Sequence, residues 1–343
     1  MKVVPTRSFE DVVLAPYRQI GDKAADVAVA TIAAQAGREG LAELMRYLGD
    51  FQNLSIVGQS PEIQDFFHRH RQLPDFADLS QMEKAMAFFW RHNQPIAFLL
   101  GCYSLPYCYA AADGAQVLWL SQRIKNDTYK RLEETGEFVF GIMQERDWRN
   151  ERNILKILKI RLMHAVIRYY TNYSAQWEKA WGLPVNQEDM AGTNLAFSYI
   201  VIRGLRKSGI IAQTDDEEAY LHLWRVIGAL LGVEEALLPL NLREAFHLDR
   251  VIAKRQFKPS VAGAGLTKAL VNVLQQQAPM PVLRNFPVAQ MRFLLGDRLA
   301  DMLKLPAVPL EEKMIRLTAQ FPFFKNGFRS SESGSAVLEK YRR

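Results

Sequence analysis

Hydrophobic and polar positions alternate with helical spacing along most of the chain. Apolar residues recur three or four positions apart over long segments, which puts them on one face of an α-helix. Only the stretch AQVLWL, at 115–120, suggests a strand instead. The pattern predicts an all-α protein, with helices near residues 23–35, 39–49, 61–71, 80–92, 126–144, 152–172, 187–207, 215–232, 241–256, 264–277, 288–304 and 309–320.

The helical pattern continues along the chain without internal repeats, low-complexity tracts or linkers rich in proline, glycine and serine. The chain has 343 residues, of which 49% are hydrophobic and 23% charged, a profile typical of a soluble globular protein with a sizeable core. We therefore expect one large helical domain at 23–329, preceded by an N-terminal arm at 1–22 and followed by a flexible tail at 330–343.

The net charge of the chain only weakly restricts which classes of partner it could bind. The formal net charge of +6 modestly favours anionic ligands. The basic clusters HRHR, at 68–71, and RGLRKSG, at 203–209, are short and lack interleaved aromatic residues. Solvated helix ends explain them better than a nucleic-acid surface does, and a helical nucleic-acid-binding protein is kept only as a third alternative.

Cysteine content and hydropathy bear on the compartment. The chain has two cysteines, Cys102 and Cys108, which indicate neither a disulfide framework nor a zinc site. The first residues contain acids and a proline where a signal peptide needs an unbroken apolar core. The segment 92–112 lacks acidic residues, lysine and arginine, but prolines and a glycine interrupt it. We expect a cytoplasmic protein in which this segment forms a buried helix and turn, without a membrane span.

The predicted helix at 152–172 carries polar residues on an otherwise apolar surface. His164 has Arg161 three residues before it and Arg168 four residues after it, so the three side chains share one side of the helix. A histidine in such a setting is usually a core residue with its hydrogen bonds satisfied. It is also the usual axial ligand of a haem iron. Buried arginines need an anionic partner, which the propionates of a haem would provide.

Two other groups of residues are compatible with a ligand site. Arg131 and Thr135 lie four positions apart on one predicted helix, which is equally typical of an amphipathic surface helix. Phe197 and Trp224 lie in helices that contain internal glycines, where close helix packing and a flat ligand are both possible. The spacings typical of a Rossmann turn, a phosphate loop, a zinc-protease helix or a nucleophile elbow do not occur.

Several segments together resemble the latex clearing protein (rubber oxygenase) superfamily, which includes the mycophenolic-acid-pathway oxygenases and bacterial members of unknown function. The resemblance covers roughly residues 75–305, and its most specific part is Arg-x-x-x-Thr followed about thirty residues later by RLMHA. The matching segments, in order, are SLPYCYAAADGAQVLWLSQRI, RLEETGEFV, KIRLMHAVIR, EDMAGTNLAFS, WRVIG, LLGV and MRFLLGDRLADML.

The resemblance implies a globin-like helical core around a b-type haem. His164 would be the proximal iron ligand, with Arg131 and Thr135 facing the haem from the preceding helix and Arg161 and Arg168 nearby. The implied activity is that of an oxygenase that uses dioxygen or a peroxide on a small apolar, terpenoid or lipid-like substrate. The alternative is a non-catalytic carrier of haem or of a hydrophobic ligand with the same fold.

The chain departs from the rubber-cleaving members at two positions. These members have a lysine directly before the threonine, whereas this chain has Glu134. They also use an upstream glutamate as a base, and here residues 95–126 offer only Asp113. We therefore predict Thr135, Glu134 and Asp113 as catalytic residues, with the substrate left open. The residues predicted to line the substrate pocket are Phe138, Phe197 and Trp224.

Overall fold

Helices make up the regular structure of the computed structural model, which describes residues 7–121, 128–145, 147–278 and 280–318. The predicted all-α fold class is confirmed. The helices are α1 (Asp11–Leu14), α2 (Lys23–Gly49), α3 (Pro61–His70), α4 (Leu79–Arg91), α5 (Asn93–Leu99), α6 (Leu105–Tyr109), α7 (Ala112–Leu120), α8 (Thr128–Gln144), α9 (Arg152–Asn172), α10 (Gln187–Phe197), α11 (Tyr199–Lys207), α12 (Thr214–Leu230), α13 (Leu242–Gln256), α14 (Val261–Gln276), α15 (Phe286–Leu295), α16 (Asp297–Met302) and α17 (Pro309–Thr318).

Backbone geometry explains where the predicted and observed helices differ. The two helices predicted within residues 23–49 form the single helix α2, which is interrupted at Gly37, where φ is +59°. The helix predicted at 187–207 is split at Ser198, and the one predicted at 288–304 is split at Gly296, where φ is +81°. Glycine adopts such positive φ angles with little strain, so Gly37 and Gly296 interrupt the helical geometry at their positions.

The strand suggested at 115–120 is wrong, because these residues lie in α7. A short apolar run fits a buried helix as well as a strand, and periodicity alone does not separate the two. Here helix packing decides the conformation. Gly265 of α14 lies so close to α7 that a Cβ atom on it would approach the Trp119 ring to 2.3 Å. The segment 92–112 is helical and bends through a π-helical turn at Leu100–Ser104.

Helix α9 lies near the centre of the molecule. It packs along α2 and also contacts α8 and α12, while α12 packs against α4. Lys159 of α9 is fully buried and donates hydrogen bonds to the carbonyl oxygens of Tyr47, Asp50 and Asn53, at 2.7, 2.7 and 2.6 Å. These acceptors lie at and just beyond the C-terminal end of α2, so Lys159 fixes how α9 sits against that helix.

The segment before α2 is packed against the rest of the protein. Leu14 is fully buried, and the amides of Leu183 and Gln187 each donate a 2.8 Å hydrogen bond to a carbonyl oxygen of this segment. The predicted tail at 330–343 lies outside the described residues, and the predicted domain bounds stay a prediction. None of the described helices combines the length and the apolar character needed to cross a bilayer.

Candidate functional site

One side of α9 carries His164 in an apolar, incompletely buried stripe. Ile160, Met163, His164 and Ile167 are each partly buried, and their spacing places them on the same side of the helix. The opposite side packs into the core, and the Nδ1 atom of His164 is shielded from solvent. The fully buried residues of α9 include Ile157, Leu158, Leu162, Ala165 and Val166.

Sequence reasoning missed this stripe because apolar residues surround almost the whole of α9. A buried helix and a helix that faces a ligand on one side have the same composition. The positions 160, 163, 164 and 167 do repeat at the three-and-four spacing of one helix face, so the signal was present. The partial burial of these four side chains, beside the fully buried Leu158, Leu162 and Val166, is what the structure adds.

Arg161 finds its anionic partner within the chain. Its Nε and Nη2 atoms donate to the two carboxylate oxygens of Asp22 at 2.5 and 2.9 Å, and its guanidinium lies 5.4 Å from the centre of the Phe66 ring. The side chains of Arg161 and Asp22 are only 11% and 5% exposed. This geometry is a buried, bidentate ion pair that joins α9 to the start of α2.

Arg168 pairs with a second aspartate, one turn further along α2. It donates to the carboxylate of Asp26 and to the carbonyl oxygen of Val185, at 2.9 Å from Nη2. Burial raises the pKa of Asp26, and Arg168 opposes that shift. Because aspartates neutralise both arginines, neither arginine needs the propionates of a cofactor as an anionic partner. Their predicted contact with a haem stays a prediction.

Helix α8 supplies the other predicted site residues. Glu134, Thr135 and Phe138 are partly buried, and the Phe138 ring lies 6.4 Å from the ring of Phe51. The side chain of Arg131 lies outside the described part of the structure. Its C-terminal part is buried, at Val139, Phe140, Ile142 and Met143. Helix α8 therefore resembles α9 in combining buried residues with residues that are only partly buried.

Hydrogen bonds near the connection between α8 and α9 define how the two helices align. The amide of Asn153 donates to the carbonyl oxygens of Ile142 and Glu145, at 2.9 and 2.8 Å. These hydrogen bonds fix the C-terminal end of α8 against the start of α9.

The remaining predicted residues lie elsewhere. Asp113, on α7, forms an ion pair with Lys258 at 3.1 Å. Phe197 and Trp224 pack against each other with their ring centres 5.2 Å apart, and Trp224 is only 2% exposed. A Cβ atom on Gly228 would lie 2.6 Å from Leu238, so this glycine serves close packing of protein against protein. Phe197 and Trp224 form part of the core, and their role in a substrate pocket stays a prediction.

The side chains available as metal ligands limit the kind of metal centre that α9 could hold. Among the described residues, no group of three or more histidine, cysteine, aspartate or glutamate side chains is arranged to hold a metal ion. A lone histidine suits a metal whose other ligands arrive with it, as they do in haem. An apolar stripe around that histidine suits the flat face of a macrocycle. The residues present therefore fit a haem.

Comparison with known proteins identifies the family of the chain. The sequence pattern of the family described as "ER-bound oxygenase mpaB/B'/Rubber oxygenase, catalytic domain" matches residues 90–324, which include α8 and α9. The chain is 23% identical over 262 residues to the rubber oxygenase of Streptomyces sp. (strain K30). That match covers 75% of this chain but 64% of the relative, so somewhat less than two thirds of the relative's length is represented.

The fold also has a solved counterpart. The structure of latex clearing protein LCP in the closed state superposes with a TM-score of 0.73 and 20% sequence identity, covering 95% of this chain and 90% of that one. At this identity the likeness shows the fold alone. The family pattern spans more than half of the chain, and the chain therefore belongs to the mpaB/B' and rubber oxygenase catalytic-domain family.

Proposed function

We propose that the protein is a haem-dependent oxygenase that acts on an apolar substrate, with His164 as the proximal ligand of a b-type haem. The observation that carries the proposal is the position of His164 in a partly buried apolar stripe, on the central helix of a fold shared with oxygenases. Because Nδ1 is buried against the protein, we assign Nε2 to the iron. Ile160, Met163 and Ile167 would pack against the face of the macrocycle.

The bound haem would supply an iron that activates dioxygen or a peroxide. The protein's own groups would position the reactants and handle protons. The Thr135 hydroxyl would donate a hydrogen bond on the side facing α8, and Arg131 would pair with a propionate. Glu134, where the rubber-cleaving relatives have a lysine, would accept a proton from the substrate at its carboxylate.

In this proposal, Arg161 and Arg168 position His164. Their ion pairs with Asp22 and Asp26 hold α9 against α2 and thereby fix the height and rotation of His164. A histidine that must meet an iron within a few tenths of an ångström benefits from such a rigid helix. The two arginines would therefore affect haem binding through α9, without needing to touch the haem.

The name of one relative and the apolar residues around His164 support an apolar substrate. The similar Streptomyces protein is named for rubber, an apolar unsaturated polymer. We propose a smaller apolar compound with carbon–carbon double bonds, such as a terpenoid or an unsaturated lipid. Phe138, which is partly buried on α8, would contact it.

Two measurements on the purified protein test the proposal. We expect a Soret absorption band in the protein as isolated or after addition of hemin, with one haem per chain. We also expect oxygen consumption when an unsaturated terpenoid is added, and none with its saturated analogue. Absence of stoichiometric haem binding would contradict the cofactor assignment. Haem binding without oxygen consumption across a panel of unsaturated substrates would instead favour a carrier.

A further inference from the structure

A cavity of about 600 Å³ is lined by residues outside α8 and α9. Its walls come from α6, α11, α13 and α16, and from Phe257, which follows α13. A volume of this size is typical of sites that hold small organic ligands. Nothing in the proposed oxygenase chemistry uses this cavity, which will be called the α13 cleft.

A fixed polar network forms part of the wall of the α13 cleft. The Tyr107 hydroxyl donates to one carboxylate oxygen of Asp249 at 2.7 Å, and Arg203 donates to the other at 3.4 Å. Asp249 is 5% exposed, while the side chain of Arg203 is 32% exposed. The Arg203 guanidinium also lies 5.7 Å from the centre of the Tyr107 ring. Asp249 and Tyr107 therefore hold Arg203 in one orientation at the cleft.

Positive charge in the α13 cleft exceeds the acids available to neutralise it. Asp249 balances Arg203, and Asp11 lies 3.6 Å from Lys254. Arg250 and Arg298 also line the cleft. Both are exposed, neither forms an ion pair with another residue that the structure describes, and the Arg250 guanidinium lies 5.5 Å from the centre of the Phe246 ring. The two guanidinium groups give the cleft a net positive charge that favours an anion.

The α13 cleft also has an apolar side. Val251, Phe257 and Leu299 line it together with the arginines. Inorganic phosphate would satisfy the guanidinium groups but would leave this apolar surface in water. A neutral hydrocarbon would cover the apolar surface but would leave the charge uncompensated. The cleft therefore fits a ligand that has both an anionic group and an apolar body.

We propose that the α13 cleft is a binding site for a small amphipathic organic anion. Its carboxylate or phosphate group would accept hydrogen bonds from Arg250 and Arg298, and its apolar body would lie against Phe257 and Leu299. The site is separate from the proposed haem site, since its lining residues belong to other helices. Its existence does not depend on the oxygenase proposal.

Isothermal titration calorimetry with decanoate, decyl phosphate, decanol and inorganic phosphate tests this site. We expect one molecule of decanoate or decyl phosphate to bind per chain, and the stronger of the two identifies the preferred anionic group. Decanol and inorganic phosphate should each bind at least roughly tenfold more weakly. Arg298→Ala and Arg250→Ala should each weaken binding of the preferred probe roughly tenfold.

Two controls separate the α13 cleft from other sites. Arg38→Ala removes an exposed arginine of α2 and should leave binding unchanged. Saturating the protein with hemin should also leave it unchanged, because a decanoate molecule bound at the proposed haem site would be displaced. The proposal is overturned if no anionic probe binds, if decanol binds as tightly as decanoate, or if the two cleft variants behave like Arg38→Ala while remaining folded by circular dichroism.

Discussion

At the scale of single residues, His164 decides the cofactor assignment. We expect His164→Ala to abolish haem binding or to weaken it severely, because the iron would lose its only proposed protein ligand. His68→Ala is the matched control, since His68 is exposed on α3 and should retain a full haem complement. The measurement is the Soret absorbance per chain after gel filtration. An unchanged spectrum in the His164 variant would show that another residue binds the iron.

The ion pair between Arg161 and Asp22 should contribute more to stability than an exposed pair does. Asp22→Asn removes the charge but keeps an N-cap for α2, so it isolates the loss of the ion pair. Leaving Arg161 buried without its counter-ion should lower the free energy of unfolding by about 2–4 kcal/mol. Urea denaturation measures this difference.

The control for that substitution is Asp65→Asn. Asp65 pairs with Arg69 at 2.8 Å, but the two side chains are 54% and 73% exposed, so water screens their attraction. The variant should unfold at nearly the same urea concentration as the parent. Equal losses in the two variants would mean that the burial of the Arg161 pair does not matter.

Sequence reasoning found the residues of α9 but misjudged what neutralises them. The spacing of Arg161, His164 and Arg168 predicted that the three lie on one side of a helix and that the arginines need anions. It could not identify Asp22 and Asp26, which lie 139 and 142 positions away. Partners at such distances depend on how α2 packs against α9, and helical periodicity carries no information about that packing.

At the scale of helices, the contact between α9 and the end of α2 depends on Lys159. Burial lowers the pKa of Lys159 to about 8, so at neutral pH the amine keeps its proton and can donate to three carbonyl oxygens. Lys159→Met should leave these carbonyl groups without a donor and lower the free energy of unfolding by about 3 kcal/mol.

Thermal and urea unfolding of Lys159→Met should be compared with those of Lys268→Met. Lys268 is exposed on α14, so its substitution keeps the same change of side chain without removing buried hydrogen bonds. The control should retain the stability of the parent. If Lys159→Met were as stable as the control, the three hydrogen bonds would contribute nothing net.

The positions of the helices were more predictable than their breaks. Helix α9 has the predicted bounds, because a long periodic segment is a strong signal. The break between α10 and α11, at Ser198, contains no glycine or proline that would predict it. The strand predicted at 115–120 is wrong because a six-residue, mostly apolar segment does not specify a period, and contact with α14 decides its conformation.

At the scale of the whole molecule, ion pairs connect the N-terminal segment to distant helices. Arg7 pairs with Glu244 of α13, Arg18 pairs with Asp189 of α10, and Asp22 pairs with Arg161 of α9. Each pair has at least one side chain that is 10% exposed or less. The segment predicted as an arm therefore contributes charges to three helices of the core, and its removal would leave buried groups uncompensated.

Acid should weaken this attachment through Glu244. Burial acts to raise the pKa of Glu244, but hydrogen bonds from Arg7 and from the Leu240 amide outweigh it and hold the pKa below the usual 4.5. A carboxyl group with a lowered pKa in the folded state stabilises the fold above pH 4.5. This contribution is lost as the pH falls below that value and the folded protein takes up the proton.

A double-mutant cycle with Arg7→Ala and Glu244→Gln tests this pH dependence. At pH 7 the two side chains should show a coupling energy of about 1–3 kcal/mol in urea denaturation. Between pH 4.5 and pH 3 the coupling should shrink, because protonation of Glu244 removes the charge that Arg7 binds. Arg7→Ala made in the Glu244→Gln background should cost only the hydrogen bonds that Arg7 donates to the carbonyl oxygens of Glu235 and Leu238, and that cost should be the same at both pH values. A coupling energy that stays constant from pH 7 to pH 3 would show that the attachment does not depend on the charge of Glu244.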